Sequence, residues 1–169
     1  MMQIPRGLSR RTALIVAVLL VLAGGAGWTQ SLDELSGEYP TPELDPADVV
    51  EIQMEAFRRN DDEDTGIAIA FRFASPGNKQ MTGPLPRFSM MMRGPLYRPM
   101  LEAESVEYGA VDVRERIARV EVTTVGSDGG RNSYAFFLAK QRGGEFADAW
   151  MTEAVEVLPE SEMAPGDTV

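Results

Sequence analysis

From Ala13 to Trp28 the chain carries no charged side chain, a run of sixteen residues preceded by Arg6, Arg10 and Arg11 and no acid. The run ends in Ala23-Gly24-Gly25-Ala26-Gly27, so a basic start, an apolar middle and small residues follow one another as in an export signal. Beyond Asp45 the apolar positions take helical spacing: Val49, Ile52 and Ala56 share a face with Val50, Met54 and Phe57. Asp45 suits the N-cap, Pro46 the first helical position, Asp48 the positive end of the dipole, and Arg58 and Arg59 the negative end. A helix over 46–60 is predicted. Ile67, Ala70, Phe71 and Ala74 recur at three and four residues, predicting a second helix that stops before Pro76. A third starts at Pro84, sets Leu85, Phe88 and Met92 on one side, and ends at Gly94.

The period then becomes two. Val106 and Tyr108 flank Glu107, Val111 and Val113 flank Asp112, and Ala118, Val120 and Val122 alternate with Arg119, Glu121 and Thr123. Tyr134, Phe136 and Leu138 follow the turn Ser127-Asp128-Gly129-Gly130, and after Arg142-Gly143-Gly144 a last strand runs from Trp150 through Thr152 to Val157. Helices first and an antiparallel meander last imply an α+β fold, with N-terminal helices packed on a curved four-stranded sheet.

Composition divides the chain into four parts. Residues 1–28 form the signal, or an uncleaved N-terminal anchor, since sixteen apolar residues approach the lower limit of about 17 for a membrane span. Cleavage after Gly25 or Ala26 is expected, which places the rest in the periplasm or beyond; the alternative is inner-membrane anchoring through residues 13–28. Arg10-Arg11 also fits the opening of a twin-arginine signal, although a generic basic flank explains it as well. Residues 29–44 hold Gly37, Pro40, Pro42 and several acids and read as an acidic tether. A single α+β domain over 45–158 follows, and then a tail over 159–169 too polar to order itself.

Net charge is −10 for the whole chain, and beyond residue 27 there are 13 basic against 26 acidic residues, a net of −13. No basic stripe offsets this, so nucleic acid is excluded as a partner and the membrane is reached only through the N-terminal segment. The chain has no histidine and no cysteine. The usual general base, nucleophilic thiol, zinc ligands, disulfides and lipoprotein anchor are therefore absent, and no metal or cofactor is expected.

The stretch Gly66 to Asn78 (GIAIAFRFASPGN), with Thr82 to Leu85, Arg87-Phe88, Met91 to Tyr97 and the closing Trp150 to Val155, resembles an uncharacterised bacterial family known as domain of unknown function 4864. The resemblance covers about Val49 to Val157. The order of elements also resembles the nuclear-transport-factor-two-like cone fold shared with ketosteroid isomerases and SnoaL-like cyclases. That likeness implies a pocket able to work with an acidic base and a tyrosine donor, and it makes Asp112, Tyr97, Tyr108 and Tyr134 the candidate catalytic residues. It also implies a homodimer that covers one face of the sheet.

Asp61-Asp62-Glu63-Asp64-Thr65-Gly66 has the acids and the sixth-position glycine of a calcium loop, but Arg72 stands where the bidentate glutamate belongs, and a solvated turn is the better reading. Met81, Met90, Met91, Met92 and Met100 crowd one region; consecutive helical residues point about 100° apart, so core filling is expected over a copper(I) site. The third helix is expected to close the core, with a lid over a pocket as the alternative. Two function classes remain: a non-catalytic envelope module that takes a small apolar ligand or a protein partner, and a lyase or isomerase built on carboxylate and tyrosine. The lack of histidine and of any convergent acid pair favours the first.

Overall fold

The computed structural model describes residues 31–159. The expected export segment with Arg10 and Arg11, and the expected tail from residue 160 on, lie outside the described residues. Among the described residues no helix is long and apolar enough to cross a membrane. Helices α1 (Leu32–Ser36), α2 (Pro46–Arg58), α3 (Thr65–Arg72), α4 (Pro76–Thr82), α5 (Leu85–Met92) and α6 (Arg98–Leu101) precede strands β1 (Ser105–Arg114), β2 (Ile117–Val125), β3 (Arg131–Lys140) and β4 (Trp150–Leu158). The strands form one open antiparallel sheet in sequence order, so the α+β expectation holds.

The acidic tether expected over 29–44 is corrected by α1. Ser31 and Glu34 cap it reciprocally, the Ser31 hydroxyl accepting from the Glu34 N–H and the Glu34 carboxylate from the Ser31 N–H. Leu35 is wholly buried in the core. Arg72 of α3 holds the segment that follows, donating to the Ser36 carbonyl at 2.8 Å and stacking its guanidinium over Tyr39 at 4.8 Å. One helical turn sends a single residue inward, so there is no period to read, and the anchor comes from a residue 36 positions away.

Helix α2 is the central element. Asp45 accepts from the Ala47 and Asp48 N–H groups, and Val49, Val50, Ile52, Met54, Ala56 and Phe57 are buried. Gly66 lets α3 lie against it: a Cβ there would fall on the Ala56 carbonyl oxygen and within 2.8 Å of the Asn60 Cα. The acidic loop between them is a built turn. Asn60 accepts from the Ile67 N–H and donates to the Asp61 carbonyl and the Asp64 carboxylate, while Asp61 accepts from the Thr65 N–H. The Thr65 hydrogen bonds, side chain first and then backbone, hold the Asp61 carboxyl below its ordinary range.

Pro76 was expected only as a stop, and it also begins α4, with Ser75 as N-cap accepting from the Asn78 N–H. Helix α4 buries none of its residues, and α5 buries Phe88, Ser89 and Met92. Between them Gly83 takes φ +85°, a region closed to other residues without strain. Ahead of α4 a short parallel bridge joins Ala74 to Thr152, with the Ser75 N–H on the Thr152 carbonyl and the Thr152 N–H on the Phe73 carbonyl, both at 2.9 Å.

One sheet face meets the helices through Ala118, Val120, Val122, Tyr134, Phe136 and Leu138. The other carries polar pairs, Arg119 with Glu121, Arg131 with Glu107, and Thr123 with Ser133 at 2.8 Å. Two bulges interrupt the ladders. On β1 the register moves between Tyr108 and Val111, across Gly109 and Ala110; on β4 it moves between Thr152 and Ala154, leaving Glu153 as the extra residue. Each bulge resets which residues face inward.

Candidate functional site

The helices do not fill the space against β4. A cavity of about 270 Å³ lies between α2, α4, α5, α6 and the outer half of the sheet. Phe57 and Gln53 come from α2, Ala74 from the bridge, Asn78, Met81 and Thr82 from α4, Phe88, Met91 and Met92 from α5, and Tyr97 and Met100 from the turn and helix that follow. Phe136 forms its floor, and Thr152 to Val155 its sheet-side wall. Met92 and Met100 are core residues, whereas Met81 is 80% exposed and stands at the rim. The core-filling expectation therefore holds for Met92 and Met100 and fails for Met81 on α4 and Met90 on α5, which are both largely exposed. Helix α5 closes the core through Phe88 and Met92, as expected, yet leaves this cavity beside it.

Its polar groups form one continuous set along β4. The Thr152 hydroxyl donates to the Gln53 side-chain oxygen at 2.7 Å, and the Gln53 amide donates to the Ala70 carbonyl at 3.0 Å. Asn78 donates to the Thr152 carbonyl at 3.2 Å, and the Thr82 hydroxyl donates to the Asn78 carbonyl at 2.9 Å. Glu153, turned out of the strand alternation by the bulge, accepts from the Ser75 hydroxyl at 2.7 Å and from the Gln141 amide at 3.2 Å. Among the described residues no buried side-chain nitrogen or oxygen lacks a partner. Lys79 on α4 faces elsewhere, donating to the Arg72 carbonyl at 3.0 Å between the Phe71 and Phe146 rings, and desolvation there pushes its ammonium below its ordinary range.

Of the four candidate residues the structure brings one to the cavity. Tyr97 lines it, but its hydroxyl donates to the Val155 carbonyl at 3.1 Å. Tyr134 is wholly buried and donates to the Leu96 carbonyl at 3.1 Å. Burial pushes its phenol up to about 12, a hydrogen bond with Thr124 opposing and Tyr97 adding to the rise. Tyr108 lies on β1, 44% exposed, with its phenol raised by desolvation and then by the Glu51 and Glu55 carboxylates of α2. Asp112 pairs in register with Arg119, shares that outward face of the sheet, and binds Arg114 at 3.0 Å. Among the described residues no tyrosine hydroxyl hydrogen-bonds a carboxylate, and the carboxylates that act on Tyr108 belong to α2, away from the cavity lining.

Gln53, Asn78 and Glu153 were not singled out in the sequence. A signal for Glu153 did exist: Trp150 and Thr152 have even numbers, Val155 and Val157 odd ones, and a strand that changes parity contains an extra residue. A second hollow of about 250 Å³, lined by Asn60, Asp61, Asp62, Arg93, Arg98, Leu101 and Glu102, is a groove of paired charge, Arg93 with Asp64 and Arg98 with Glu102 at 3.5 Å.

Comparison with known proteins gives a family and little more. No curated protein matches the chain. A solved structure from Campylobacter jejuni described as an NTF2-like transpeptidase is similar over 66% of this chain and 99% of that one, at 10% identity and a TM-score of 0.48, a likeness too slight to inform function. The family model for the domain of unknown function DUF4864 matches residues 42–165, and the chain belongs to that family.

Proposed function

We propose that this member of the DUF4864 family is an exported, non-catalytic binding module that takes a small apolar molecule into the cavity between α4, α5 and β4. The cavity itself carries the reading. At about 270 Å³ it lies just below the lower bound of roughly 300 Å³ for small-molecule sites, and it has their makeup, aromatic and thioether walls with a few polar groups at one side. Binding is favoured over catalysis because the hydroxyl of Tyr97, the candidate residue that lines the cavity, is committed to a main-chain carbonyl and no carboxylate hydrogen-bonds it. Export rests on the Arg10-Arg11 segment and the uncharged run to Trp28.

Native mass spectrometry of the protein purified from its own envelope tests both parts. The expected spectrum begins after Gly25 or Ala26 and carries an adduct of small mass, which the cavity-filling variant Met91→Trp loses. A polypeptide mass beginning at Met1 overturns the cleaved signal. A bare mass in every preparation, with no adduct formed on adding apolar probes, overturns the binding module.

A further inference from the structure

We infer that the ligand of this cavity carries a hydrogen-bond donor at its polar end, a primary amine in preference to an alcohol, and that carboxylic acids are rejected. The inference rests on the binding reading and adds its chemical class.

The charge at the cavity has one sign. Among the described residues Glu153 is the only acidic side chain that lines the cavity, and no arginine or lysine lines it. Among the described residues Glu153 forms no ion pair, although eight other such pairs occur there. Its two hydrogen bonds come from neutral donors, one to each oxygen, and a carboxylate offers about four acceptor sites, so about half of its capacity is open.

The two lining hydroxyls lean the same way, while the Asn78 amide, with one N–H on the Thr152 carbonyl, keeps its second as a donor. The Thr82 hydroxyl spends its one proton on the Asn78 carbonyl, which leaves its oxygen as an acceptor. The Thr152 hydroxyl spends its proton on Gln53. An amine meets acceptors at that wall, whereas a carboxylate meets a like charge and few free donors. The apolar body then lies against Phe57, Phe88, Met91, Met92 and Phe136, where flexible thioethers adjust to a ring or a short chain. The excess of acids over bases in the exported part adds a long-range bias of the same sign.

Hexylamine, hexanol and hexanoate share one tail and differ in the head group, so titrating each into the full exported domain at pH 7 separates the two claims. Isotope-labelled methionine methyls report occupancy through Met91, Met92 and Met100. The expected order is amine, alcohol, carboxylate, with the amine ahead of the alcohol by about fivefold, as for a partly exposed ion pair, and that lead falling at high salt. In Glu153→Gln the amine's lead over the alcohol disappears. If the alcohol binds and hexanoate binds as well as the amine, the donor-headed class is overturned and the binding module stands. If none of the three shifts the cavity methyls, the binding reading fails and takes this inference with it. The order in the wild-type protein decides the matter even where the variant does not fold.

Discussion

The Thr152 hydroxyl donates to the Gln53 side-chain oxygen at 2.7 Å with both residues buried, so a single hydrogen bond fixes β4 to the middle of α2 beside the cavity. Thr152→Val removes the donor and leaves the Gln53 oxygen buried without a partner. The expected loss is about 1–3 kcal/mol in urea unfolding. The double variant with Gln53→Leu loses less than the two single variants together, because the Ala70 carbonyl keeps the Phe73 N–H as a donor. Strict additivity would show that the pair does not act as a unit.

Arg72 and Leu35 make the opposite prediction about a segment of tether-like composition. Arg72→Ala removes the hydrogen bond to the Ser36 carbonyl and the stack on Tyr39, and exposes the 37–44 stretch to limited proteolysis while α2 and the sheet stay protected. Leu35→Ala costs about 2–4 kcal/mol, as a fully buried leucine does. Unchanged stability for Leu35→Ala would return the segment to the status of a linker.

Gly66→Ala tests the packing of α2 against α3. The added methyl meets main-chain atoms of Ala56 and Asn60, which cannot rotate away as a side chain can. The two helices must part, and a destabilisation of about 3 kcal/mol is expected in thermal or denaturant unfolding. Exposed Gly143, with no atom in reach of a Cβ, is the control and should change little on substitution by alanine.

Tyr134 makes stability depend on alkaline pH. Its phenol is raised to about 12 in the fold, mainly by burial, against an ordinary value of about 10. The neutral form therefore contributes stability that is complete below about pH 10 and is lost as pH rises through about 12. Denaturant midpoints measured from pH 9 to 12 should fall more steeply for the wild type than for Tyr134→Phe. Parallel slopes would remove Tyr134 as the cause.

The long elements were legible because their apolar faces are periodic: α2, α3, α5 and the alternation of β2 and β3 follow directly from residues such as Val49, Ile52, Val120 and Phe136. Helices α1, α4 and α6 were not, since four to seven residues make too few turns for a period, and α4 buries no residue at all. The site was less legible still. Asp112 and Tyr108 look like pocket residues in a strand pattern, but the sheet register puts Asp112 on the outward face and Tyr108 on an edge strand. The cavity depends on side chains from α2, α4, α5 and β4 that meet only in three dimensions, and local spacing carries no record of such meetings.

The bulge on β4 makes one residue surplus to the sheet. Thr152 sits opposite Leu138, Ala154 opposite Phe137 and Val155 opposite Phe136, so the ladder counts correctly without Glu153. Shortening the chain by that residue would leave each of these pairings in place and yield a regular strand, whereas removing Thr152 or Ala154 would seat the Glu153 carboxylate opposite Leu138 or Phe137 in its stead. At this position deletion is the mild edit for the scaffold, and what it removes is the carboxylate at the cavity rim.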